Sequence, residues 1–160
     1  SNVTPDIIAF GKKTQCCGIF VGKRIEDVED NVFNISSRLN STWGGNLSDM
    51  VRFSIYLEII EEEDLVNNSK EMGVYLLDHL ENLQSEYPNL VSNSRGRGLF
   101  CAFDMPDTGY RDKMSQYIYE EGAIVLGSGV RSIRFRPHLN IDRSEIDLGI
   151  AMIRKALDRF

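Results

Sequence analysis

From Leu47 onward apolar residues recur every fourth position. Leu47, Val51, Ile55 and Ile59, with Met50 and Leu57 alongside, predict an amphipathic helix from about Ser48 into Glu61-Glu62-Glu63. Asn46, followed three residues later by Asp49, is its start signal. Met72, Leu76, Leu80, Leu83 and Tyr87 mark a second helix, stopped by Pro88. Arg111 to Glu121 reads as a shorter helix with Met114, Tyr117 and Ile118 inward, ended by Gly122. Ile146, Ile150, Ile153 and Leu157 form the stripe of a closing helix, opened by Asp142 and Glu145 in capping-box spacing.

Between these helices the period falls to two. Leu99, Cys101, Phe103 and Met105 alternate with Phe100, Ala102 and Asp104, a strand apolar on nearly both faces. Ala123 to Leu126 predicts a second strand, and Ser132 to Arg136 a third that turns Ile133 and Phe135 one way and Ser132, Arg134 and Arg136 the other. Before Leu47, Cys16 to Val21 reads as a buried strand; Val32-Phe33-Asn34-Ile35 follows the acidic turn Glu26 to Asp30, and no helix is evident. The expected architecture is α+β (broadly α/β), with helices on one side of a small sheet of three strands. The change of period divides the chain into residues 1–46 and 47–160, the first poorly covered by its own side chains.

At 160 residues and 42% hydrophobic, the chain can bury one core, which makes one domain the default from composition alone. A net charge of −6 argues against a general nucleic-acid or anionic-membrane surface. No apolar run reaches bilayer length, and Ser1-Asn2-Val3-Thr4 lacks the marks of an export signal, so the expectation is a cytoplasmic protein. Cys16, Cys17 and Cys101 lack the two-residue gap of metal or redox dithiols and are expected to be reduced, packed thiols. His79 and His138 are isolated, which ranks metal and acyl-transfer chemistry low.

Three places carry candidate chemistry. Lys12 ends Pro5-Asp6-Ile7-Ile8-Ala9-Phe10-Gly11-Lys12, a short apolar strand and glycine turn that could present a nucleophilic amine; alone, a Lys-Lys pair after glycine is more often a solvated turn. Ser41-Thr42-Trp43-Gly44-Gly45-Asn46, immediately before a helix, is either an anion site or an ordinary helix entry. Arg134, on the polar side of Ile133-Arg134-Phe135-Arg136-Pro137, offers the planar fork that a carboxylate accepts, or is an edge-strand surface residue. Arg95-Gly96-Arg97-Gly98 reads as a turn feeding the next strand.

Asp6 to Lys12, Asn40 to Asn46, Arg95 to Leu99 and Arg134 to Pro137 occur in the order and approximate spacing seen in class III pyridoxal phosphate aminotransferases, and across nearly the whole chain the sequence resembles that family. The resemblance implies the C-terminal small domain of a fold-type I enzyme, residues 47–160 with a linking helix, preceded in residues 1–46 by the trailing edge of the large cofactor-binding domain. Lys12 would bear the Schiff base with the cofactor, pyridoxal 5'-phosphate, and move the proton. Thr42, with Ser41, would reach the phosphate of the neighbouring subunit's cofactor in a homodimer; Asn40 stands beside them at the substrate, and Arg134 would clamp a substrate carboxylate. The wording around Phe10 to Gln15 and Arg38 to Asn46 is most similar to members that transfer the ε-amino group of L-lysine to 2-oxoglutarate. The alternatives are ornithine- or 4-aminobutyrate-type enzymes, or a non-catalytic dimerisation or folding module. The family's phosphate turn, ring-stacking aromatic and ring-nitrogen aspartate have no counterpart here, so the chain alone is expected to be inactive. His138, in place of a second proline, and Cys16-Cys17 depart from the family pattern.

Overall fold

The computed structural model describes residues 4–39 and 45–160. The chain forms two compact units, Ser1–Glu62 and Glu63–Phe160. The sequence period changes at Asn46, but the division in compactness falls one helix later.

The first unit opens with an antiparallel ribbon of β1 (Ile7–Phe10) and β2 (Gly18–Val21), in which Ile7 faces Val21 and Phe10 faces Gly18. Lys12–Thr14 and Lys23–Asp27 are 3-10 turns, and α1 spans Leu47–Glu62. Phe10 stacks on Phe20 at 4.7 Å and on Phe53 of α1 at 6.0 Å between ring centroids. Arg52 of α1 donates to Gln15 Oε1 at 3.0 Å. Among the described residues of this unit no apolar side chain is buried, in line with the expected poor coverage. The expected strand at Val32–Ile35 is a run of turns. Buried Asn31 explains it: its Nδ2 donates to the carbonyls of Ile25 and Val28 and its Oδ1 accepts the Phe33 amide, so the side chain takes the groups a ladder would need. Cys17 is exposed and Cys16 half-buried, so only Cys101 fits the expectation of a packed thiol.

The second unit runs α2 (Leu65–Glu86), β3 (Ser92–Arg97), β4 (Phe100–Asp104), α3 (Thr108–Glu120), β5 (Leu126–Ser128), β6 (Ser132–Phe135) and α4 (Arg143–Leu157). The sheet has the order β3-β4-β6-β5, antiparallel throughout. Cys101, Phe103, Ile133 and Phe135 line one sheet face and share a single core with Leu80 and Leu83 of α2, Met114 and Ile118 of α3, and Ile146, Ile150 and Ile153 of α4. Burial of these side chains, about 1.5–3 kcal/mol each, is what holds the helices on that face. The closing helix carries the expected capping box: Asp142 Oδ1 accepts the Glu145 amide at 2.9 Å and Glu145 Oε2 accepts the Asp142 amide at 3.1 Å. Asp107 caps α3 with a single bond, its Oδ1 accepting from the Tyr110 amide at 2.9 Å.

Two segments depart from the sequence pattern. Arg95 to Arg97 belong to a fourth strand, β3, and the turn lies one step later at Gly98, whose φ is +53°. Ala123 to Val125 stay outside the sheet, because the Ala123 amide is held by the Ile118 carbonyl at the end of α3; the strand begins only at Leu126. No helix among the described residues is long and apolar enough to cross a membrane.

Candidate functional site

Lys12 comes directly after β1 and Gly11, as the first residue of the 3-10 turn. Its φ is 58°, left-handed backbone that costs a side-chain-bearing residue about 1–3 kcal/mol and persists only where neighbours hold it. The Lys12 carbonyl accepts the Gln15 amide at 2.9 Å, and Gln15, itself left-handed at φ 63°, is gripped by Arg52. The side chain of Lys12 is exposed. Asn40, Ser41 and Thr42 lie outside the described residues. Beyond them, Asn46 Oδ1 accepts the Ser48 amide at 3.0 Å and opens α1 as its sequence predicts.

The other candidates lie in the second unit, on the sheet face turned away from the helices. Cross-strand partners share a face. Arg95, Ala102, Arg134 and Leu126 are successive partners across β3, β4, β6 and β5. Asp104, Ser132 and Ser128 form the row on one side of them, and Arg97 pairs with Phe100 on the other. A depression of about 400 Å³ on this face is lined by Arg95, Arg97, Phe100, Ala102, Ser132 and Arg134. The guanidinium of Arg134 lies 5.8 Å from the centre of the Phe100 ring, and its buried Nε has no hydrogen-bond partner among the described residues. A buried N–H left in that state costs about 1–3 kcal/mol, which an acceptor supplied from outside would recover.

Asp104 is the residue sequence reasoning missed. Only 5% exposed, it accepts from Ser132 Oγ at 2.6 Å, Asn93 Nδ2 at 3.0 Å and Arg95 at 3.0 Å, and Arg131 stands at 3.5 Å. Burial pushes its pKa up, but the hydrogen bonds from Ser132, Asn93 and Arg95, with the Arg95 charge, outweigh burial and hold the carboxyl below the usual carboxylate range. Arg95 is thereby committed: it also donates to the Asn93 carbonyl at 2.8 Å and to Ser132 Oγ at 3.0 Å. The only sequence signal was one acidic residue in a strand otherwise apolar on both faces, and its partners become visible only with the strand register.

On the edge of β6 and α4, a cavity of about 360 Å³ is lined chiefly by apolar side chains such as Leu76, Val125, Phe135, Ile146 and Ile150. The two histidines serve locally. His138 Nδ1 meets Asn140 Oδ1 at 2.9 Å, and His79 packs edge-on against Tyr75, 3.4 Å from Asp147.

The sequence profile described as Aminotransferase class-III matches residues 1–157, and the chain belongs to that family. It is 49% identical over 156 residues to the L-lysine-epsilon aminotransferase of Mycobacterium tuberculosis, covering 98% of this chain and 35% of the relative. With the enzyme of the same name from Amycolatopsis lactamdurans the identity is 50% over 154 residues, 96% of this chain and 34% of the relative. Among solved structures, the lysine aminotransferase of M. tuberculosis superposes with a TM-score of 0.94 at 49% identity, over 99% of this chain and 36% of that one. The fold is therefore that of the lysine aminotransferases and transaminases, and the chain spans about a third of the length of these curated relatives. The family implies pyridoxal phosphate as cofactor. Of the residues expected at such a site, Lys12 offers an exposed primary amine, the group that could hold the cofactor's carbonyl carbon.

Proposed function

We propose that this chain carries the cofactor lysine and the carboxylate-binding arginine of a class III aminotransferase, and that the whole protein moves the ε-amino group of L-lysine to 2-oxoglutarate in two half-reactions. The observation that carries the reading is Arg134, a half-buried residue of β6 whose Nε has no acceptor among the described residues. Its fork suits the carboxylate common to an amino-acid donor and an oxo-acid acceptor. The identity of about half to two enzymes named for L-lysine supports the donor.

Pyridoxal phosphate, when bound, supplies a carbonyl carbon and an electron-withdrawing ring that acidifies the C–H bond next to the amine. In this reading Lys12 would hold the cofactor through Nζ, and its amine, when free, would take up and return the proton. Ser41 and Thr42 offer hydroxyls to the cofactor phosphate of the second subunit in a homodimer, and Asn40 stands at the substrate. Arg134 fixes the carboxylate and so holds the substrate in one orientation.

Two measurements on the whole protein test this. Borohydride reduction and peptide mapping should place the pyridoxyl label on Lys12; a label on Lys13 overturns the assignment. With 2-oxoglutarate as acceptor, L-lysine should be the fastest donor, and faster turnover of ornithine or 4-aminobutyrate replaces the lysine reading with that of another ω-amine enzyme. Absence of label and turnover alike would favour a non-catalytic module.

A further inference from the structure

Lys12 lies on a connection that one helix holds from both ends. β1 ends at Phe10 and β2 begins at Gly18, so Gly11 to Cys17 form the loop of the ribbon. Two consecutive residues of α1 reach it. Phe53 stacks on Phe10, two residues before Lys12, at 6.0 Å between ring centroids. Arg52 Nη1 donates to Gln15 Oε1, three residues after Lys12, at 3.0 Å. The same nitrogen donates to Asp49 Oδ1 at 2.8 Å, one turn earlier on α1, so Asp49 sets the guanidinium where Gln15 meets it. Gln15 closes the 3-10 turn Lys12–Thr14, its amide donating to the Lys12 carbonyl at 2.9 Å, and Thr14 Oγ1 donates to the Cys16 carbonyl at 2.6 Å. Within this frame Lys12 and Gln15 both keep a left-handed backbone, at φ 58° and 63°. A side-chain-bearing residue keeps that conformation only where its surroundings impose it. Among the described residues, the bond from Arg52 is the side-chain hydrogen bond that reaches Gln15 from another element.

We propose that Gln15 and Arg52 are positioning residues for Lys12: Arg52 holds Gln15, Gln15 holds the turn, and the turn selects which amine serves the cofactor. The inference rests on the reading of Lys12 as the cofactor lysine. Neither side chain touches the reacting atoms. Lys13 follows Lys12 in the same turn, and consecutive residues of a 3-10 turn stand about 120° apart around its axis. The two amines are chemically alike, so the backbone of the turn distinguishes them. A rotation of the turn brings forward the wrong lysine, and a displacement of the right one by about 1 Å costs up to about a hundredfold in rate. Phe53 on Phe10 fixes the entry of the turn but not its rotation, because a ring stack resists translation more than twist; the Arg52–Gln15 bond, on the far side, removes that freedom.

The test maps the pyridoxyl label left by borohydride reduction of the whole protein loaded with cofactor, and measures turnover. Wild type should carry the label on Lys12. Arg52→Met and Gln15→Ala should each divide it between Lys12 and Lys13 and lower kcat about tenfold, with the KM for the amino donor changed less than about twofold. The double variant should be no worse than either single one, since both break the same contact. Arg52→Lys keeps a donor and should keep most of the selectivity. Arg24→Met removes the ion pair with Asp6 at the opposite end of the ribbon and should leave the label on Lys12. Circular dichroism shows which variants fold; if Arg52→Met does not, Gln15→Ala and Arg52→Lys make the same comparison. A label confined to Lys12 in Gln15→Ala and Arg52→Met, with kcat unchanged, overturns the positioning role and leaves the Lys12 reading standing. An equal effect of Arg24→Met also overturns it, as general loosening of the ribbon. A wild-type label on Lys13 fells the Lys12 reading itself, and the positioning role with it.

Discussion

Gly73 in α2 packs directly onto the backbone of Gly98, at the turn between β3 and β4. A Cβ at Gly73 would fall well inside contact distance of the Gly98 Cα, carbonyl carbon and oxygen. Because the obstruction is main chain, no rotamer change relieves it. Gly98 is itself in the left-handed region at φ +53°, which a side chain would strain. The helix thus rests on the turn that places Arg97 on the open sheet face. Gly73→Ala should lower the stability of the second unit by about 2–4 kcal/mol, despite alanine's better helix propensity. Urea denaturation followed by circular dichroism checks this, and an unchanged or raised midpoint would show that the helix can move away at little cost.

Asp104 makes the second unit sensitive to acid. Its folded-state pKa lies below the unfolded value of about 3.9, so it contributes stability above that value and the contribution is lost as pH falls through the folded pKa. The contribution should be complete above about pH 5 and decline progressively below about pH 4. In Asp104→Asn the stability at pH 7 should be lower by about 2–3 kcal/mol, and the decline on acidification shallower. Urea midpoints measured from pH 7 to pH 3 decide it; parallel curves for the two proteins would remove Asp104 as the source.

The three thiols should differ in reactivity. Burial pushes the Cys101 thiol up to about 11, so at pH 8 it is neutral as well as shielded, whereas Cys17 is exposed. A thiol reagent at pH 8 should label Cys17 first and Cys101 only after unfolding. Mass mapping of the labelled peptides checks the order, and rapid labelling of Cys101 in the folded chain would contradict the burial.

Hydrogen exchange should separate the two units. α1 has no buried residue, while α2 buries Leu65, Met72, Gly73, Leu76, Leu80 and Leu83. Amides of α2 and β4 should open only with the second unit as a whole, and those of α1 far sooner. Equal protection of α1 and α2 would mean that burial does not govern opening in this chain.

The sequence by itself determined those parts of the protein in which each residue answers to its near neighbours. The fourfold spacing of Leu47, Val51, Ile55 and Ile59, the stripe from Ile146 to Leu157, and the Asp142–Glu145 capping box all became helices where expected, because helical hydrogen bonds and caps close within a few residues. The four motifs from Asp6 to Pro137 were likewise legible, and they were enough to indicate the family that the profile match establishes. Tertiary structure decided what depends on pairing across distance. Arg95 to Arg97 look like a turn in sequence, yet β4 supplies the partners that make them a strand. Asn31 prevents a strand that Val32 to Ile35 would favour, through a side chain that reaches back to Ile25. Asp104 is one polar position in an alternation until register brings Asn93, Arg95 and Ser132 to it, from segments up to 28 residues away. Period and capping are local in the chain, while register is set by sheet partners and the core they bury, and the arrangement of charges on the open face follows from register.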